Sequence, residues 1–211
     1  MSETKLRDQI CLFSRSLFER GLTSGSSGNV SIRLEDGGFL TTPTDSSLGF
    51  LDPARLTRLD AAGHVLSGDK PTKELPLHQA LYETRNGAGA IVHLHSTHSV
   101  AVSMLPEIDP HSVLPPLTAY SVMRVGHTAL IPYYRPGDPA VADAIRNLHG
   151  KHTAVLLANH GPVVAGRTLQ AAINSIEELE ETARLYLLLR GLNPRLLSQE
   201  QVEDLVDHFK L

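Results

Sequence analysis

His93-Leu94-His95 is the segment of this 211-residue chain whose residue types and spacing most directly suggest chemistry. It closes the apolar run Ala90–Leu94, which reads as a strand over 90–95. Alternate strand residues share a face, so the two imidazoles project together while Val92 and Leu94 point the other way. Their anchors then lie about 7 Å apart. Two ring nitrogens at that separation can meet on one cation, at bonds of about 2.0–2.1 Å. Two structural histidines would leave the same trace, so the pair needs company. Asn159-His160-Gly161 ends a second short apolar strand, Ala154–Ala158, and sets another imidazole at a strand end beside a permissive glycine. Glu74 sits in the polar link Thr72-Lys73-Glu74, just before a helix opened by Pro76. Three histidines and a carboxylate suit a divalent transition ion, with Zn²⁺ the expected one. His98, three residues past His95, falls beyond the strand and reads as a neighbour of the site or a surface group. The remaining histidines, His78 among them, read as structural or exposed.

Ser24-Gly25-Ser26-Ser27-Gly28-Asn29 offers backbone N–H groups and side-chain donors to an anion, without being a Walker or dinucleotide loop. Thr42-Pro43-Thr44 and Thr72-Lys73 add hydroxyls and one cation.

These groups must be positioned by a fold, and the pattern supplies one. Leu6, Ile10, Phe13 and Leu17 form the apolar stripe of a helix over 4–20, closed by Gly21. Short strands are expected at 30–32, 39–42, 56–59 and 64–66, with Gly37-Gly38 and Ala61-Ala62-Gly63 as turns. A helix runs from Pro76 to about Thr84, residues 120–134 are rich in β-formers, and 139–149 reads as helical. A long helix spans Leu169–Leu189, with Glu177, Glu178, Glu180 and Glu181 as its solvated side or a subunit contact. The expectation is one α/β domain over 1–211, with a central, mostly antiparallel sheet flanked by helices.

Composition bounds the function. Hydrophobic residues are 41% and charged residues 20%, which suits a globule and not a disordered chain. A formal charge of −4 argues against an extended nucleic-acid surface. No apolar run is long enough to span a membrane, and Met1–Gln9 lacks a signal core. Cys11 stands alone, excluding an internal disulfide and pointing to the cytoplasm.

In these segments the chain resembles the class II aldolase/adducin family: Gly28-Asn29-Val30-Ser31, Thr42-Pro43-Thr44, Glu74, His93-Leu94-His95 and Asn159-His160-Gly161 occur in family order and spacing, from about Lys5 to Leu197. The resemblance implies a three-layer α/β fold, a Zn²⁺-type ion between subunits of a homotetramer, and phosphorylated sugar-like substrates. It makes His93, His95 and His160 metal ligands and Glu74 a carboxylate that visits the metal and moves protons. Gly28, Asn29, Thr44, Thr72 and Lys73 fall where the family holds phosphate, and Tyr120 where its aldolases keep a tyrosine acid. Ser67–Glu74, Met123–Gly126, Pro132–Asp138 and Leu156–Val164 resemble the family's 3-oxo-tetronate 4-phosphate decarboxylase branch. Thr72-Lys73 replaces the two serines usual in its sugar-phosphate aldolases, the alternative being an aldolase or epimerase of the fuculose-phosphate or ribulose-phosphate type. Arg124 and Arg135 are further candidates for the carboxylate end of the substrate. Asp45 stands where many relatives have glycine or asparagine, and its charge would repel phosphate unless Lys73 pairs with it.

Overall fold

A computed structural model describes residues 1–210; Leu211, the last residue of the expected domain, lies outside them. Seven helices and eight strands are described: α1 (Glu3–Glu19), β1 (Asn29–Arg33), β2 (Phe39–Thr41), β3 (Thr57–Leu59), β4 (Val65–Ser67), α2 (Leu75–Thr84), β5 (Ala90–His93), α3 (Thr97–Val102), α4 (Ala119–Arg124), β6 (Thr128–Ile131), α5 (Ala140–Arg146), β7 (Ala154–Leu157), β8 (Gly161–Gly166), α6 (Leu169–Leu189) and α7 (Gln199–Phe209). The strands form one sheet in the order β4-β3-β2-β1-β5-β8-β7-β6, antiparallel throughout except β6 beside β7.

Alternation along the central strands divides the core. Ala90, Val92 and Leu94 pack with Ile10 and Leu17 of α1 and with Ile173 and Ile176 of α6. Ile91, Val155 and Val163 pack on the other face with Leu77 and Leu81 of α2 and Ile145 of α5. Helices therefore cover both faces, as the expected three-layer arrangement requires, and β5 is buried along its whole length. No described helix is long and apolar enough to cross a membrane.

The structure changes several local expectations. The strand carrying His93 ends there, and His95 lies just beyond it. Leu94 N–H still bonds to the Pro162 carbonyl at 3.2 Å, which keeps that segment against β8. Strand β8 starts at Gly161-Pro162, directly after the Asn159-His160-Gly161 segment that closes the preceding strand, and is not among the expected strands. Tyr120 lies on α4, not in a β segment, because Thr118 and Ser121 form a reciprocal cap that starts a helix. Helix α5 is shorter than the 139–149 expected. Glu180 is neither solvated nor free: it accepts from the backbone N–H groups of His98 and Ser99 at 2.9 Å each and tethers α3 to α6.

Candidate metal centre and anion cleft

Glu74 stands at the N-cap of α2, on the sheet face to which His93 points. The hairpin turn between β7 and β8 brings in His160; Asn159 takes a left-handed φ of 56° there, and His160 N–H closes on Leu157 O at 3.1 Å. His95 completes the group from the segment after β5. One ligand atom from each of Glu74, His93, His95 and His160 lies within 4.8 Å of every other. The Nε2 atoms are 3.1 Å apart for His93–His95, 3.1 Å for His95–His160 and 3.3 Å for His93–His160. Tetrahedral ligands at bonds of about 2.0–2.1 Å would be separated by roughly 3.3 Å, so the spacing fits a shared ion.

Proton placement supports the same fit. His93 Nδ1–H donates to the Pro162 carbonyl at 2.9 Å, which leaves Nε2 as the lone-pair nitrogen facing inward. Burial keeps His93 and His95 below the ordinary histidine range, against the pull of Glu74, and pushes His160 down to about 4. Burial by itself would raise Glu74; the imidazoles of His93 and His160 and the Asn29 amide outweigh it and hold the carboxyl at about 2. Three converging imidazole nitrogens and a carboxylate are the donor set of a divalent cation. All four residues come from one chain. His93 is fully buried whereas His95 and His160 are partly exposed, so the centre opens on one side.

That side is a cleft of about 460 Å³, lined by Ser26, Ser27, Gly28, Thr44, Asp45, Thr72 and Lys73 together with Glu74, His95 and His160. The expected anion loops thus share one cavity with Glu74, His95 and His160. Gly28 is required at the junction: its φ is +83°, and a Cβ there would sit 2.9 Å from the His93 carbonyl. Thr72 Oγ1 accepts from Glu74 N–H at 3.2 Å, tying the hydroxyl loop to the start of α2. Lys73 Nζ lies 3.5 Å from Asp45, the pairing needed to offset that carboxylate. Arg135 borders the centre from the Pro132–Asp138 segment, exposed and without an ion-pair partner among the described residues.

Asn29 also lines the cleft; its amide gives one N–H to Glu74 Oε2 at 2.7 Å and its oxygen lies 2.6 Å from His78 Nε2, which leaves the second N–H of the NH₂ group. Other expected residues fall elsewhere. Tyr120 is 56% exposed, outside the cleft, with the Arg124 guanidinium over its ring at 5.2 Å. His98 is held by Glu180 at 2.8 Å, away from the ion site. His78 was not legible as a neighbour of the site. The signal available was its position one helical turn after Glu74, on the same face of α2.

Sheet, flanking helices and a Glu-His-His-His centre beside anion loops together define the class. The Class II Aldolase and Adducin N-terminal domain family matches residues 8–187, and the chain belongs to it. A protein of Escherichia coli strain K12 named 3-oxo-tetronate 4-phosphate decarboxylase is 48% identical over 203 residues, covering 96% of each chain. The L-fuculose phosphate aldolase of Methanocaldococcus jannaschii is 36% identical over 86% of this chain and 96% of its own. The crystal structure of YgbL from Escherichia coli superposes with a TM-score of 0.93 at 47% identity, covering 96% of this chain and 98% of that one.

Proposed function

We propose that the protein decarboxylates a 3-oxo-tetronate 4-phosphate to dihydroxyacetone phosphate and CO₂, with residues 1–211 acting as one catalytic domain. The observation that carries the proposal is a complete Glu-His₃ centre beside the anion loops, in a chain 44–50% identical over most of its length to several proteins named for that reaction. His93, His95 and His160 would hold the ion, Zn²⁺ by preference, with Glu74 at its side. Such an ion is a Lewis acid where charge develops on the C3 oxygen as the C1–C2 bond breaks.

The chain's own residues do the remainder. Gly28, Thr44, Thr72 and Lys73 hold the phosphate, so that binding energy remote from the reacting carbons orients them. Arg135 lines a small pocket with Glu74 and His160, where the substrate carboxylate would enter. Loss of CO₂ from a carboxylate consumes one proton, which must reach C2. Glu74 is ionised at rest, so it collects that proton from water in the cleft and delivers it to C2. Tyr120 does not reach the centre of its own chain. Its service as an acid would be across a subunit boundary, in a homotetramer. A cytoplasmic enzyme working on small phosphorylated acid sugars, with neither nucleic acid nor membrane as partner, suits the composition.

Purified protein incubated with synthetic 3-oxo-tetronate 4-phosphates should release CO₂ and dihydroxyacetone phosphate in equal amounts. With no CO₂ from the oxo acids, aldehyde release from fuculose phosphate would instead assign the aldolase reaction, and stereoisomer interconversion of ribulose phosphate without cleavage the epimerase reaction.

A further inference from the structure

Behind Glu74 runs a buried line of polar groups. Tyr82 Oη lies 2.9 Å from Ser31 Oγ, which lies 2.7 Å from His78 Nδ1; His78 Nε2 lies 2.6 Å from Asn29 Oδ1, and Asn29 Nδ2 lies 2.7 Å from Glu74 Oε2. Ser31 and His78 are fully buried, and Tyr82, Asn29 and Glu74 are less than a tenth exposed. Valence gives this line one direction. Glu74 Oε2 accepts, so Asn29 must turn its NH₂ toward the carboxylate and its oxygen toward His78. An amide oxygen only accepts, so His78 Nε2 carries the hydrogen. Burial holds the imidazole neutral, with its pKa down at about 3. Nδ1 is then the acceptor, Ser31 Oγ–H donates to it, and Tyr82 Oη–H donates to Ser31. Every link has one donor and one acceptor, and no orientation can be reversed singly without setting like against like.

We propose that His78 is a positioning residue for Glu74: its Nε2–H locks the Asn29 amide in the orientation that donates to Oε2, and so fixes the rotamer of the carboxylate. The proposal rests on the reading above in which Glu74 moves the proton. A free Asn29 amide could rotate and present its oxygen to Glu74 at 2.7 Å, two acceptors in hydrogen-bond contact; the carboxylate would then have to move. His78 prevents that turn at a distance, without touching substrate. Asn29, and with it the Gly28–Ser31 motif, thereby serves the acid/base group as well as the cleft wall.

Two measurements test this. The ¹⁵N-histidine NMR spectrum of the metal-free protein, with His78 assigned by comparison with His78→Gln, should show the Nε2–H tautomer; an Nδ1–H tautomer overturns the proposal. In the metal-loaded enzyme, His78→Leu should lower kcat by roughly 10–100-fold while KM and bound metal stay within about twofold, the range of loss seen when a partner behind a metal ligand is removed. His78→Gln places an N–H donor near the position of Nε2 and should restore kcat to within about fivefold of wild type. A wild-type kcat in His78→Leu, or equal losses in both variants, contradicts the positioning role. Should His78→Leu fail to fold, the tautomer and His78→Gln still decide. A wild-type protein that releases no CO₂ would defeat the activity reading alone, because the tautomer is measured without substrate.

Discussion

Gly161→Ala tests whether the hairpin that delivers His160 is built to the tolerance the ion needs. A Cβ on Gly161 would lie 2.2 Å from the Leu94 carbonyl oxygen and 3.2 Å from the Cα of His95, against 3.4 Å or more for ordinary contact. Relief requires the start of β8 and the Leu94-His95 segment to part by about 1.2 Å. Those two segments carry His160 and His95, whose Nε2 atoms are now 3.1 Å apart. Separation on that scale takes the pair out of reach of one ion with bonds of about 2.0–2.1 Å. Metal affinity should fall by about 10–100-fold and turnover at saturating metal by about 100-fold, the usual cost of a misplacement near 1 Å. Overpacking should also cost about 1–3 kcal/mol, lowering Tm by about 2–4 °C per kcal/mol in a chain of this length. Gly21→Ala is the control: its φ is +75° and nothing lies within 4 Å of the added carbon, so it should lose some stability but no metal affinity. Competition titration with a chelating dye, followed by CO₂ release, reads both effects. Wild-type metal affinity and turnover in Gly161→Ala would show that the two segments need not keep this spacing.

Glu74→Gln should lower kcat by about 100-fold or more and leave KM within about threefold, since the phosphate loops are untouched; a normal rate removes Glu74 from proton transfer. Asp45→Asn should free Lys73 for phosphate and lower KM about two- to fivefold, a small effect because the pair is exposed and screened; an unchanged KM takes Lys73 out of the phosphate site. The metal-free protein should lose stability in acid. His78 and His160 are depressed to about 3 and about 4, so between pH 6.5 and those values the unfolded chain binds protons that the folded one does not. Stability from this source is intact above pH 6.5 and falls as pH drops, His78 alone costing about 2 kcal/mol at pH 5. A urea midpoint that is equal at pH 7.5 and pH 5 would contradict it.

Periodicity alone carried the helices that bury one face, α1 and α6, and most strands that alternate. The His-x-His spacing likewise placed the rings of His93 and His95 together, because an extended segment constrains where two alternate side chains can go. What periodicity missed was decided by tertiary contacts. Gly161-Pro162 opens a central strand because its neighbours supply the ladder on both sides, which no local signal reports. Tyr120 looked β-prone by residue type, and the Thr118–Ser121 cap overrode that preference. Ser198 and Gln201 form a similar box at the start of α7, ahead of Val202, Leu205 and Phe209, a local signal of the same kind. Asn29 follows a glycine-rich loop, which points to an anion donor. Only the fold shows α2 laying Glu74 and His78 against the two ends of its amide.

In the proposed mechanism three imidazoles and one carboxylate hold a single divalent ion on which carbon–carbon cleavage depends. Zinc titrated into stripped protein, with bound metal and CO₂ release followed together, decides whether they do. Activity should rise in proportion to bound metal and saturate at one ion per chain, and His93→Ala should show neither binding nor activity. Full CO₂ release from stripped protein, or a saturated ion in His93→Ala, would contradict the claim.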